Sequence, residues 1–261
     1  GMAQNNDVEV KEGDKVQNAA GEVVEVKAGD KVIDATGAEV EFKTGTKMKQ
    51  LVVKYTANPD LKWQDGSPVT QADFELGYKT TCDKESGATS FITCDQTQAI
   101  AFDGLSYTVT WVPGNQQPTY YLAPYGFYPS MQPIESEGPH KGKTLGEVPA
   151  KDWPTLPEVA EKPWSYGPYM ITEWVKGEKM VFEANPNFFK GPVKTPNFII
   201  FFVTAENAEA QLLGGQVDIL GPETLAGLTE QLVAAEAAGT IKTVVEAGAT
   251  WEHIDFNLFV K

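Results

Sequence analysis

The chain has 261 residues, enough for one large domain or two small ones. Its hydrophobic fraction of 41% is that of a folded globular protein, and it has no apolar run as long as the ~18 residues that read as a membrane span. A formal charge of −15 argues against nucleic acid as a partner, because phosphates require a basic surface.

Residues 1–47 carry an internal repeat: Val10-Lys11-Glu12-Gly13-Asp14-Lys15-Val16 recurs 16 positions later as Val26-Lys27-Ala28-Gly29-Asp30-Lys31-Val32. Short Val-bearing strands separated by Gly-Asp turns predict a β-rich meander or hairpin pair on the body of the protein. Two copies are too few for a solenoid. Residues 48–55 read as a strand with Leu51, Val53 and Tyr55 on one face. The segment Lys62-Trp63-Gln64-Asp65-Gly66-Ser67-Pro68-Val69-Thr70-Gln71-Ala72-Asp73 compresses a strand end, a turn and a helix start. Asp65-Gly66 is a turn dipeptide, Pro68 holds Ser67 out of the α region, and Thr70 with Asp73 forms a capping box. A helix over 71–81 follows, with Phe74 and Tyr78 on one side.

Cys82 and Cys94 flank a polar loop, and their spacing fits neither a CxxC redox motif nor a zinc site. Residues 98–102 and 105–112 form a hairpin around Asp103-Gly104, with Tyr107, Val109 and Trp111 sharing a face. An aromatic stretch over 120–134 leads into a polar, proline-bearing surface connection at 135–162. Hairpin strands over 169–175 and 179–184 follow, then the apolar run 198–203, expected to be a strand buried on both faces. A helix from Thr204 to about Leu213, a short strand at 217–220, a helix from Pro222 to about Ala238 and strands at 240–246 and 251–258 complete an α/β pattern.

The segment at 62–73 resembles the "kW-x-DG-x-PvTaeD" signature of the extracellular solute-binding proteins that serve oligopeptide and dipeptide ABC importers. Ser165-Tyr166-Gly167-Pro168-Tyr169-Met170-Ile171-Thr172-Glu173-Trp174 is similar to that family's "GtGPYk-x-x-eW", with Tyr166 where a small residue is usual. Asn185-Pro186-Asn187-Phe188-Phe189-Lys190-Gly191 resembles "NpnYw-x-G", and Gly214-Gly215-Gln216-Val217-Asp218-Ile219 resembles "l-x-x-GevDi". All four stand in the family's order.

The resemblance implies an α/β, periplasmic-binding-protein-like (type II) lobe with a mixed β-sheet and flanking helices, plus a small β-rich subdomain. The implied divisions are a β-rich repeat segment at 1–47, a small α+β subdomain of a first lobe at 48–150 and the main α/β part of that lobe at 151–261. Gly1-Met2 reads as a remnant of tag removal, and the piece is expected to stop before a second lobe of the same protein. In an exported protein, Cys82 and Cys94 are expected to form a disulfide, the alternative being two reduced thiols.

Function follows from the same resemblance: capture of oligopeptides or dipeptides outside the cell and delivery to the membrane subunits of an ABC importer. A periplasmic or lipid-anchored extracellular location goes with it. No catalytic, cofactor or metal motif is found, so binding is expected rather than catalysis. Aromatic side chains supply large contact area at low entropic cost, which makes Trp164, Tyr166, Gly167, Tyr120 and Tyr121 the candidate ligand contacts. Asn257 is expected near a hinge. An oligosaccharide or nickel complex as solute, and a cell-surface interaction module built on the repeat, are the alternatives.

Overall fold

The computed structural model describes residues 2–221 and 228–244. The chain divides into two compact units, residues 1–200 and 201–261.

Strand β1 (Met2–Glu9) opens the first unit, followed by the hairpins β2 (Lys15–Gln17) with β3 (Val23–Glu25) and β4 (Lys31–Ile33) with β5 (Glu39–Glu41). Strand β6 (Lys47–Thr56) pairs antiparallel with β1, from Met2↔Lys54 to Glu9↔Lys47. The last two pairs, Val8↔Met48 and Glu9↔Lys47, are the counterparts of Val24↔Val16 with Glu25↔Lys15 and of Val40↔Val32 with Glu41↔Lys31. The repeat therefore has three copies. The third hairpin is made by the two ends of the segment, which closes it into a ring.

Hydrogen bonds follow the same threefold rule. Gly13 N–H donates to the Val26 carbonyl (2.8 Å), Gly29 N–H to Phe42 (3.0 Å) and Gly45 N–H to Val10 (3.0 Å). Those three glycines have φ of +88°, +90° and +92°, a backbone region that side chains other than glycine rarely enter. Val10, Val26 and Phe42, with Val16, Val32 and Met48, are each at most 1% exposed and form the ring's core. The third copy, Phe42-Lys43-Thr44-Gly45-Thr46-Lys47-Met48, is disguised by Phe for Val, Thr for Asp and Met for Val.

Beyond the ring, β6 runs into a four-stranded sheet of order β1-β6-β8-β7, where β7 is Thr97–Asp103 and β8 is Ser106–Trp111. Alternation puts Leu51, Val53 and Tyr55 of β6 and Tyr107, Val109 and Trp111 of β8 on one buried face, as their spacing predicts. Helix α1 (Gln71–Cys82) covers that face with Phe74, and Tyr78 stands edge-on to Tyr125 at 4.9 Å. Gly77 is required where α1 meets the chain at Gly126, because a Cβ there would lie 2.1 Å from the Gly126 carbonyl oxygen. Burial pushes the phenols of Tyr55, Tyr107 and Tyr125 up to about 12, so all three stay neutral donors in this core.

Cys82, the last residue of α1, is disulfide-bonded to Cys94 in the short helix α2 (Ile92–Asp95). The bridge ties the end of α1 to the entry of β7 across a sequence separation of 12. Replacing both cysteines by alanine should lower unfolding stability by about 2–3 kcal/mol, from the loop-closure entropy restored to the unfolded chain. Chemical denaturation of the double variant against the oxidised parent measures this, and a loss well under about 1 kcal/mol would show the loop already ordered without the bridge.

The connection at 135–162 is less superficial than its polar composition suggests. Ile134, Leu145, Val148, Trp153 and Leu156 are all buried and pack with Leu76 of α1 into a core of their own. Two 3-10 turns, Leu145–Glu147 and Ala150–Thr155, and the helical turn α3 (Pro157–Ala160) space these residues. Sparse apolar residues in single-turn elements leave no periodicity for the sequence to display.

A hairpin of β9 (Tyr169–Val175) and β10 (Lys179–Ala184) follows, at the predicted bounds, and β11 (Asn197–Phe201) joins it in a sheet of order β11-β10-β9. The apolar run at 198–203 is not buried on both faces: Ile199, Ile200, Phe201 and Phe202 are 43–47% exposed. Among the described residues β11 has a neighbouring strand on one side only, and its packing is through Phe198, which stacks on Phe182 at 4.5 Å.

In the second unit, α4 (Ala205–Leu213) and α5 (Glu230–Ala237) bury Ala208 and Leu232. Thr229 caps α5, its hydroxyl accepting from Leu232 N–H (3.2 Å) while donating to Glu209 Oε1 of α4 (2.8 Å). Thr204 holds the N-cap position of α4, but its side chain makes no cap hydrogen bond. The expected strand at 217–220 is absent, as is strand structure over 240–244, and Leu228 is 49% exposed. Gly and Asp in 214–221 favour turns over extended pairing. The expected start of the helix at Pro222 and the strand at 251–258 lie outside the described residues.

Candidate functional site

The turn at Trp63 is built as its sequence dictates. Gly66 takes φ +89°, Asp65 Oδ1 accepts from Ser67 N–H (2.9 Å) and Oγ (2.6 Å), and Trp63 N–H donates to the Ser67 carbonyl (2.9 Å). The indole of Trp63 is 3% exposed, and its Nε1–H donates to Asp73 Oδ2 at 3.2 Å.

Asp73 is the hub of this region. It lies in the first turn of α1, where the helix dipole favours negative charge, and is 2% exposed. Oδ2 also accepts from Thr70 N–H (2.7 Å) and Thr70 Oγ1 (3.3 Å), while Oδ1 accepts from Ser130 N–H and Ser130 Oγ, both at 2.7 Å. One buried carboxylate therefore joins the Trp63 turn, the helix start and the aromatic loop before Ser130 through neutral donors.

That loop contributes Phe127, which sits 5.7 Å from Trp63 and 4.9 Å from Phe74. Tyr166 arrives from the far end of the unit, edge-on to Trp63 at 5.7 Å and tilted over Phe127 at 4.7 Å. Trp63 is buried and Phe127 half-buried, whereas Tyr166 is 42% exposed and forms the surface of the cluster. Trp164 is half-buried against the same core, with its N–H donating to Gln132 Oε1 (3.3 Å). Gly167 donates to Ser165 Oγ (3.0 Å) and accepts from Asn185 Nδ2 (2.9 Å). Ser165 N–H donates to Gln64 Oε1 (2.9 Å), and Asn187 Nδ2 to the Gln64 carbonyl (3.0 Å). The segments at 62–73, 165–174 and 185–191 thus converge on one aromatic wall.

Tyr120 and Tyr121 form a separate, exposed pair with ring centroids 6.1 Å apart, and the Tyr120 carbonyl accepts from Tyr55 OH (2.7 Å). Among the described residues no ring contact joins this pair to the Trp63–Phe127–Tyr166 cluster. Asn257 lies outside the described residues. Phe127, Gln132 and the hub role of Asp73 were not singled out by sequence reasoning. Phe127 carried a signal only as part of the aromatic stretch at 120–134, and Asp73 only as the residue that completes the capping box begun by Thr70.

A family model for the bacterial extracellular solute-binding proteins, family 5, matches residues 47–258. The chain belongs to that family. The curated relatives include the oligopeptide-binding protein OppA of Lactococcus lactis, 26% identical over 182 residues covering 63% of this chain and 29% of the relative. A probable ABC transporter-binding protein of Deinococcus radiodurans is 25% identical over 214 residues, 76% of this chain and 35% of the relative. The chain spans about a third of the length of the curated relatives it matches.

Solved structures place the fold with the type II periplasmic binding proteins. The oligopeptide-binding protein AppA of Bacillus subtilis, in complex with a nonapeptide, superposes with a TM-score of 0.51 at 21% identity, covering 78% of this chain and 36% of that one. Lactococcal OppA complexed with an endogenous peptide gives 0.51 at 20% identity, covering 86% and 40%. NikZ of Campylobacter jejuni, in complex with Ni(L-His), gives 0.52 at 19% identity, covering 77% and 35%. The first 46 residues, which hold most of the threefold ring, precede the matched region. This family is extracellular, and among the described residues no helix is long and apolar enough to cross a membrane.

Proposed function

We propose that this chain is the solute-capturing part of an ABC importer and that its solute is an oligopeptide or dipeptide taken up outside the cell. Membership of the family supports the transport role, and its kinship with OppA supports the peptide. The observation that carries the reading is the convergence of three family-like segments on a half-exposed aromatic wall at Tyr166, with Trp164 and Gly167 beside it. Such a wall offers contact area and main-chain polar groups, the combination that lets a peptide be held without reading its side chains. Tyr120 and Tyr121 form a second aromatic contact, and closure of a further lobe of the same protein over the wall buries the solute. The working location is the outer face of the membrane, by a lipid anchor, or the periplasm, and delivery is to the importer's membrane subunits.

Calorimetric titration of the intact protein with di-, tetra- and nonapeptides, oligosaccharides and Ni(L-His) tests this. Binding of peptides at micromolar or better dissociation constants is expected. Binding of only sugar or nickel complex would overturn the peptide assignment, and the NikZ likeness makes nickel the competitor to exclude.

A further inference from the structure

Residues 164–168 lead into β9 without joining a sheet, yet most of their main-chain polar groups are engaged. Trp164 N–H donates to Gln132 Oε1, Ser165 N–H to Gln64 Oε1 and Gly167 N–H to Ser165 Oγ. The Ser165 and Gly167 carbonyls accept from Asn185 Nδ2 at 3.5 and 2.9 Å, and the Pro168 carbonyl accepts from Asn185 N–H at 2.9 Å. Tyr166, in the middle, differs. Among the described residues its N–H, carbonyl and phenolic OH have no hydrogen-bond partner, and only its ring is held, by Trp63 and Phe127.

The groups that hold the flanks are themselves fixed. Gln132 is 2% exposed, and its Nε2 donates to the Glu158 (3.0 Å) and Lys162 (3.4 Å) carbonyls, so its amide cannot turn without losing bonds on both sides. Asn185 is 3% exposed, and its Oδ1 accepts from Asn187 N–H at 2.9 Å. Gln64 is tied through its own carbonyl to Asn187 Nδ2. A loop ordinarily satisfies its backbone within itself or with water. Here three amide residues from other parts of the sequence, with the Ser165 hydroxyl, take up the neighbouring groups other than the Trp164 carbonyl, and among the described residues they leave the N–H, carbonyl and phenol of the 42% exposed Tyr166 unpaired.

We propose that Gln64, Gln132 and Asn185 are positioning residues for solute binding: they hold residues 164–168 so that Tyr166 presents its main-chain N–H and carbonyl and its phenol to the solute. This rests on the reading of the chain as a solute-binding protein. The gain is pre-organisation, since a segment already ordered loses little freedom when the solute arrives. Gln64 is the position to test, because it serves Ser165 only as an acceptor. Glutamate preserves that acceptor, whereas methionine keeps the length and removes it.

The experiment uses the intact protein as wild type, Gln64→Met and Gln64→Glu, with tetra-alanine as the probe. Gln64→Met should bind tetra-alanine about 10-fold more weakly with a melting temperature within about 2 °C of wild type, and Gln64→Glu should bind within about twofold. In the ligand-free protein, amide exchange at Ser165 and Gly167 should be at least about 100-fold slower than at Tyr166, and Gln64→Met should abolish the difference at Ser165. Equal affinity of the wild type and Gln64→Met, or a slowly exchanging Tyr166 amide without ligand, would overturn the proposal. If tetra-alanine fails to bind wild type, the exchange data still decide. A Ser165 amide released by Gln64→Met supports the positioning role and lays the failure on the choice of solute, whereas an unchanged Ser165 amide overturns it.

Discussion

Asp73→Ala should destabilise the protein by about 3–5 kcal/mol, the loss expected when one member of a buried charged hydrogen-bond network is removed. The carboxylate accepts from Trp63 Nε1, from the N–H and hydroxyl of Thr70 and from the N–H and hydroxyl of Ser130, and alanine leaves all these donors without it, those of Trp63 and Ser130 in a buried site. Asparagine keeps the shape but has one acceptor oxygen, so whichever way its amide turns it sets an NH2 against either the Ser130 donors or those of Thr70 and Trp63. A smaller loss of about 1–3 kcal/mol is therefore expected for Asp73→Asn. Denaturant unfolding measures both, and near-ultraviolet circular dichroism should show Trp63 losing its fixed environment in the alanine variant. An alanine variant within about 1 kcal/mol of the parent would mean that water replaces the carboxylate and that the hub is not structural.

Phe42→Ala should cost about 3–5 kcal/mol, and its pseudo-equivalents Val10→Ala and Val26→Ala about 2 kcal/mol each, in proportion to the volume removed from a fully buried core. The more discriminating readout is which amides lose protection. Each copy of the ring donates from its glycine to the carbonyl of the core residue of the next, and Gly45 returns to Val10. If the ring is one cooperative unit, Phe42→Ala accelerates exchange at Gly13, Gly29 and Gly45 together. Loss of protection at Gly29 alone, whose N–H is bonded to Phe42 itself, would show that the three copies open separately and that closure by β1 contributes nothing.

The contrast between these two regions shows what kind of information a sequence carries. The Trp63 turn was legible because every step in it is local: Asp65 and Gly66 select the turn, Pro68 delays the helix and Thr70 with Asp73 starts it. The hairpins at Thr97–Asp103 with Ser106–Trp111 and at Tyr169–Val175 with Lys179–Ala184 were legible for the same reason, since alternation and turn residues are neighbours in the chain. The resemblance carried by Trp63, Gly167, Pro168, Asn185 and Asn187 named the family that the match over residues 47–258 establishes.

Long-range partnership was not legible. The third copy of the ring escaped notice because Phe42, Thr46 and Met48 preserve its shape while changing its letters, and because its second strand lies at the other end of the segment. The run at Ile199–Phe202 reads as doubly buried, yet its exposure depends on where β11 stands in the sheet, and edge position leaves no mark in composition. The core at Leu145, Val148, Trp153 and Leu156 has no period to detect.

At the candidate site, the sequence by itself determined which residue types are present and the local turns that carry them: Trp164, Tyr166 and Gly167, with the aromatic stretch that includes Tyr120, Tyr121 and Phe127. Only the tertiary structure decided that Tyr166 meets Trp63 and Phe127, that the Tyr120–Tyr121 pair stands apart, and that Gln64, Gln132 and Asn185 hold residues 164–168. The physical reason is reach. Turns, caps and alternation are fixed by groups a few residues apart, whereas a hydrogen bond from Ser165 to Gln64 spans a separation of 101 residues and exists only once the cores on either side of it have closed.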